Sequence, residues 1–299
     1  MADAVTSVAN EMKVANRASA HGEIAKRAAV ITPTPLRMVG PAGTIRLSIE
    51  DMAKRVQLHL NEGKVGDREV LTPQTVRMMQ SPHFSIPFGQ RTRALWPSMN
   101  YYAYGLGWFM RDYRGVKLLE HGGNTTGYSA HAAFVPELDF GVVVLSNLAN
   151  SPLPTALLYR ALDLALGDPV RDWSGELLAA KAAEPKKSAA PAAAAVQPAL
   201  PLERYVGTYR SPLYGELRVT RKGDKLTLIL TDQLTGEITA QAENSFLAKW
   251  RDPYFAAVGS GGPFVFEPDS NGQVQAVRFE IPGEMVAYNR VPSSTQGTE

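Results

Sequence analysis

The sequence predicts an α+β fold: an antiparallel sheet with flanking helices, followed by a small all-β, barrel-like domain. Three observations carry this expectation. Two capped helices precede four β-like runs joined by short turns. A stretch rich in Ala, Pro, Lys and Glu then breaks the pattern. Beyond it, strand and turn signals alternate with no helical period. The expected organisation is a helix-and-sheet domain over residues 1–170, a linker over 171–201 that is partly helical at Gly175 to Ala183, a barrel-like domain over 202–292 and a disordered tail over 293–299.

Taken in order, residues 1–26 are Ala-rich without a clean stripe, and Pro33, Pro35 and Pro41 mark an extended loop. Ser48 is a good helix cap, with Glu50 and Asp51 where the helix dipole favours acids. Ile49, Met52, Ala53, Val56 and Leu60 form the apolar face of that helix, with His59 beside it as a boundary residue. Thr72-Pro73 opens a second, short helix. Residues 81–104 read as irregular, and their aromatic neighbours Trp96, Tyr101, Tyr102, Tyr104 and Trp108 form either a pocket wall or core packing. Strands are expected at about 104–111, 116–121, 127–135 and 140–147, with the Gly, Asn and Thr run at 122–126 as a turn. Leu153 to Leu166 is a helix stopped by Gly167 and Pro169. In the last domain, Gly223-Asp224 and Asn271-Gly272 are hairpin turns.

At 299 residues the chain is long enough for two cores. A net charge of +2 from scattered basic residues gives no nucleic-acid footprint. No apolar run is long enough to span a membrane, and the first twenty residues lack a signal-peptide core, so the chain as written is expected in the cytoplasm. Zero cysteines excludes disulfides, thiolate catalysis and Cys-ligated zinc.

Pro41-Ala-Gly43, Ser48-Ile-Glu-Asp51-Met-Ala, Tyr104-Gly-Leu-Gly-Trp108, His121-Gly-Gly123, Gly127-Tyr128-Ser129 and Gly141-Val-Val-Val-Leu-Ser-Asn147 run in one order. In that order the chain resembles the β-lactamase-like serine hydrolases, which include class C-type β-lactamases, penicillin-binding proteins and esterase relatives. The part opening Leu202-Glu-Arg-Tyr205 resembles the small β domain often appended to them. The family's chemistry uses a Ser-x-x-Lys nucleophile, a Tyr-x-Asn or Ser-x-Asn element, and Lys-Thr-Gly or His-x-Gly on a strand that helps bind the oxyanion. His121-Gly122-Gly123 matches the third motif, and no lysine has a serine three residues before it. Ser98-Met99-Asn100 spells the second motif in a loop, by coincidence. The resemblance implies the C-terminal half of a hydrolase domain with its nucleophile missing; many relatives are periplasmic or secreted.

The remaining chemistry lies in five histidines and nearby acids. His121, Gly123 and Ser129 are the candidate catalytic residues. His121 and His131 on paired strands, with His21 from the N-terminal loop, are the candidate ligands of a divalent metal such as zinc, which would activate water without a serine. No organic cofactor is expected. The expected activity is hydrolysis of a small ester-like substrate, carboxyl ester or phosphoester, at a non-serine, metal-assisted site around His121. The alternative is an inactive remnant that binds or oligomerises, or half of a split serine hydrolase. Apolar surface left uncovered points to a homodimer.

Overall fold

The computed structural model describes residues 4–34, 40–167, 169, 171–183, 196–258, 262–281 and 284–292. The chain forms two compact units, residues 1–22 with 28–184, and residues 23–27 with 185–299. Near the start lie a helical turn α1 (Val8–Glu11), the hairpin β1 (His21–Ile24) and β2 (Arg27–Val30), and a second helical turn α2 (Gly40–Gly43).

Helix α3 (Ile49–Leu60) starts where its cap demands, the Ser48 hydroxyl accepting the Asp51 N–H at 3.3 Å. A small hairpin, β3 (Lys64–Val65) and β4 (Arg68–Glu69), leads to α4 (Pro73–Met79), capped by Thr72 with proline in its first turn. The stretch read as irregular holds the short elements β5 (Phe84–Ser85), α5 (Gln90–Leu95) and β6 (Tyr102–Tyr104).

Then come β7 (Phe109–Tyr113), β8 (Val116–Thr125), β9 (Tyr128–Val135) and β10 (Phe140–Ser146). Together with β5 and β6 they form a six-stranded sheet in the order β10-β9-β8-β7-β6-β5, every neighbour pair antiparallel. The strand expected from Tyr104 begins only at Phe109. A turn replaces its first part because Gly107 sits at φ +79 and a Cβ on Gly105 would lie 2.3 Å from the Met79 carbonyl. In turn, β8 runs four residues past its expected end.

Alternation of side chains gives the sheet two buried faces. On one, Met110, Leu119, Ala132 and Phe134 pack with Trp108 and with Val56 of α3. On the other, Leu118, Ala133 and Val135 pack with Tyr113 against helices α6 (Leu153–Ala165) and α7 (Trp173–Ala182). Helix α7 lies where the linker is expected to be partly helical, beginning two residues earlier. Trp173 and Leu177, one helical turn apart, belong to this core, and buried Asp163 accepts from both Tyr113 (2.5 Å) and the Trp173 indole (2.7 Å). The Ala/Pro tract at 184–195 and the tail at 293–299 lie outside the described residues.

The second unit is a closed barrel of eight strands. They are β11 (Gly207–Ser211), β12 (Gly215–Lys222), β13 (Lys225–Ile229), β14 (Thr235–Ala242), β15 (Ser245–Trp250), β16 (Phe264–Pro268), β17 (Val274–Ile281) and β18 (Glu284–Arg290). Helix α8 (Pro253–Val258) separates β15 from β16. Pairing of Tyr209 with Arg290 closes the ring, which removes its strand edges. Tyr205, Tyr209, Phe246, Phe264 and Phe266 fill the interior, as expected of a barrel this narrow.

One expectation about the first unit is reversed. His59 is 4% exposed, in the core between Trp108 and Phe134 rather than at a boundary. Its Nε2 accepts the Trp108 indole N–H at 3.2 Å, so its own proton sits on Nδ1. Burial first, and the Arg55 charge second, pull its pKa from 6.5 to about 4. The neutral ring is therefore the folded form, so its stabilisation is full above pH 6.5 and fades as pH falls toward 4. Urea denaturation is expected to show a loss of about 1–2 kcal/mol between pH 7 and pH 5 from this ring. His59→Gln, which keeps an acceptor for Trp108, should lack that loss; equal losses in both proteins would refute it.

Candidate active site

The β8–β9 hairpin closes on the two residues Thr126-Gly127, between the pair Thr125 and Tyr128. Gly127 sits at φ +96, and a Cβ there would lie 2.2 Å from that of Ala20, so no larger residue fits. His121-Gly122-Gly123-Asn124 is thus strand rather than turn, and its register opposes His121 to Ala132 and Gly122 to His131.

Directly opposed residues share a face, and a one-residue offset changes it. His121 lies on the α3 face; Glu120, Ser129 and His131 lie on the α6 face. This corrects the expected metal set. His121 and His131 leave β8 and β9 on opposite sides of the sheet, while His21 Nδ1 donates to the Ser19 carbonyl (2.8 Å). Among the described residues, no three His, Asp or Glu groups gather closely enough to hold an ion. A zinc site needs three protein ligands at about 2.0–2.2 Å from one point, and these donors do not fit it. Ser129 is likewise turned away from His121. Its hydroxyl lies 2.6 Å from Asn124 Oδ1 and 2.7 Å from the Leu148 carbonyl, and it accepts the Ser151 N–H at 3.1 Å. It ties the hairpin to the loop before α6.

At the end of β7, Tyr104 places its hydroxyl 3.2 Å from His121 Nε2, and the Phe109 ring lies beside it at 5.3 Å. Burial, then the charge of Arg55, lowers the His121 pKa, while a hydrogen bond to the Gly122 backbone works the other way. The imidazole is neutral near pH 7 and accepts the phenol proton. Pairing with β7 ends at Phe109–Glu120, whereas β8 continues to Thr125. Counting back from the tight turn, the backbones of Thr125, Gly123 and His121 face β9. Those of Gly122 and Asn124 face the side that β7 leaves open. Gly123 is therefore committed to the ladder, and Gly122 and Asn124 are the residues with backbone donors to offer.

On the α6 face, Glu120 is 3% exposed and holds Arg111 Nη2 (2.5 Å), the Tyr159 hydroxyl (3.0 Å) and His131 Nε2 (3.3 Å). Burial alone would raise its pKa; the Arg111 charge and the bonds from His131 and Tyr159 overcome this and hold it at about 2. Arg111 lies between the rings of Trp96 and Tyr102, 4.5 Å from each, so these aromatics clamp a cation rather than wall one pocket. His131 Nδ1 meets the Thr155 hydroxyl at 3.0 Å. Both line a cleft of about 140 Å³ with Gly122, Gly123 and Asn124. Asn100, of the Ser-x-Asn look-alike, donates to Asp112 at 2.7 Å and takes no part.

The signature of the Beta-lactamase family matches residues 1–166, more than half of the 299-residue chain. The chain belongs to the β-lactamase family. In this β-lactamase-family chain, residues 191–290 match a further signature described as a domain of unknown function, DUF3471. It is 34% identical over 137 residues to the unguisins hydrolase ungD of Aspergillus violaceofuscus, covering 41% of this chain and 24% of that protein. It is 29% identical over 203 residues to the unguisins hydrolase ungD' of Aspergillus campestris, covering 62% and 36%. The chain thus spans about a quarter to a third of the length of these curated relatives. It is also similar to the octameric penicillin-binding protein homologue from Pyrococcus abyssi, with 18% identity, a TM-score of 0.44 and coverage of 96% of this chain and 55% of that one. The family and both curated relatives are those of hydrolases, and no helix among the described residues is long and apolar enough to cross a membrane.

Because Arg111 and Glu120 are buried together, removing one charge strands the other. Glu120→Gln is expected to lower unfolding stability by about 3 kcal/mol in urea at pH 7, with part of the loss recovered in Arg111→Met/Glu120→Gln. Stability unchanged in the single variant would contradict the pairing.

Proposed function

We propose that the chain hydrolyses ester-like substrates, carboxyl esters before phosphoesters, with the scissile carbonyl seated on the open part of β8. The observation that supports this reading is the end of β7 pairing at Glu120, which leaves the Gly122 and Asn124 N–H groups unladdered beside His121. Parallel backbone donors one strand repeat apart can each take a different oxygen of the substrate, one of them the oxyanion of an acyl-transfer step. The Tyr104 hydroxyl takes a proton from the attacking water as its own proton passes to His121 Nε2. A neutral His121 is ready for that role. The hydrolase names of the two relatives favour the same class. No ion is given a part, because His21, His121 and His131 do not converge. A second reading, a scaffold that supplies one wall of a serine-hydrolase site, is favoured by the lack of any Ser-x-x-Lys in the sequence.

Steady-state hydrolysis of aryl esters separates the two. His121→Ala and Tyr104→Phe should each lower kcat by about 100-fold or more. The rate should rise with pH and level off at a lower pH than an exposed histidine would give, and chelation should leave it unchanged. No turnover above buffer, or full activity in His121→Ala, would defeat the proposal.

The dimer is part of the same proposal. Leu153, Leu157 and Leu164 form one exposed stripe on α6 and support self-association. Light scattering is expected to give a two-fold species at micromolar concentration that Leu157→Glu converts to monomer; a monomeric parent chain would exclude it.

A further inference from the structure

We infer that Thr155, His131 and Glu120 form a nucleophile–base–carboxylate relay on the α6 face of the sheet, suited to the acyl group of a small activated ester. This centre borders the Gly122 and Asn124 backbone that the His121 site also uses, and brings a nucleophile and base of its own. Its geometry is that of a hydrolytic triad, which is recognised by distances and roles rather than by sequence order. Thr155 Oγ1 lies 3.0 Å from His131 Nδ1, and His131 Nε2 lies 3.3 Å from Glu120 Oε2.

One proton arrangement arms the relay. Glu120 is an ionised acceptor, so an Nε2 proton of His131 faces it, and the Nδ1-unprotonated tautomer points its lone pair at Thr155. Among the described residues the Thr155 hydroxyl has no other partner, so it donates to His131. A purely structural role accounts for this less well. Arg111 and Tyr159 hold Glu120 together with the imidazole, and only the imidazole reaches on to a hydroxyl at the cleft. Thr155 is half-buried and borders the cleft rather than the core.

The chemistry closes with water alone. Thr155 Oγ bonds to the ester carbonyl carbon as its proton moves to His131 Nδ1. The carbon–oxygen bond to the leaving group breaks, and the departing alcohol takes the proton from His131. Water, deprotonated by the same imidazole, then cleaves the acyl–threonine bond and frees a carboxylic acid. Glu120 is a positioning residue that fixes the tautomer. The substrate class follows from size. The cleft beside Thr155 is small and open on one side, which admits an acetyl or similar short acyl group with its leaving group outside.

Brief reaction of the chain with p-nitrophenyl acetate, quenched in acid and mapped by mass spectrometry, tests the relay. One acetyl group is expected on the peptide that carries Thr155, with a p-nitrophenol burst whose rate falls by about 100-fold or more in Thr155→Val and in His131→Asn. Thr155→Ser should keep the label, which guards against a folding effect of the valine. His121→Ala should lower steady-state turnover and still leave Thr155 labelled, which separates failure of the relay from failure of the His121 site. An acetyl group found elsewhere, none found at all, or labelling undiminished in Thr155→Val would overturn the relay.

Discussion

The register of β8 against β9, set by the two-residue turn Thr126-Gly127, is the constraint on which the rest of the site depends. Gly127 can hold that turn because it has no Cβ to meet Ala20. A shift by one residue would exchange the faces of every side chain in both strands. It would move Leu119, Ala132 and Phe134 away from α3, and Leu118 and Ala133 away from α6. The hydrophobic cores on both sides therefore vote for one register, and the polar residues of the hairpin inherit it.

Two consequences follow for chemistry. His121 is carried to the end of β7, beside Tyr104 and Phe109, while His131 and Glu120 are carried to the α6 face. Glu120 then does more than ionise. Its bonds to Arg111 on β7, His131 on β9 and Tyr159 on α6 join three elements through one buried carboxylate. Such a network is costly to disturb because every member leaves another unsatisfied. It is also what holds the His131 ring in one tautomer.

Much of the fold is legible in the sequence and less of the site. Ser48 and Thr72 announce their helices through capping chemistry, and Arg114-Gly115 with the period-2 runs announces β7 to β10. The last domain shows its hairpins through Gly223-Asp224 and Asn271-Gly272. The misreadings have a common cause: local composition points one way and long-range pairing decides otherwise. Gly, Asn and Thr at 122–125 suggest a turn, yet β9 pairs with every one of them. Ala-rich residues 173–182 suggest a linker, yet Trp173 and Leu177 give α7 an apolar edge that the sheet buries. His59 sits three residues after Val56, on the same buried face, a spacing that points inward even for a polar ring. Thr155 and Tyr159 carry no local mark at all, since their partners are 24 and 39 residues away.

The open segment of β8 is where fold and function meet, because one short partner strand leaves two backbone donors outside the ladder. Amide NMR during titration with an aryl boronic acid, a mimic of the tetrahedral acyl intermediate, tests this most directly. The account predicts that the Gly122 and Asn124 amide signals shift together and saturate together, while Gly123, bonded into β9, stays in place. Shifts at Gly123 in place of its two neighbours, or none along 121–125, would contradict it.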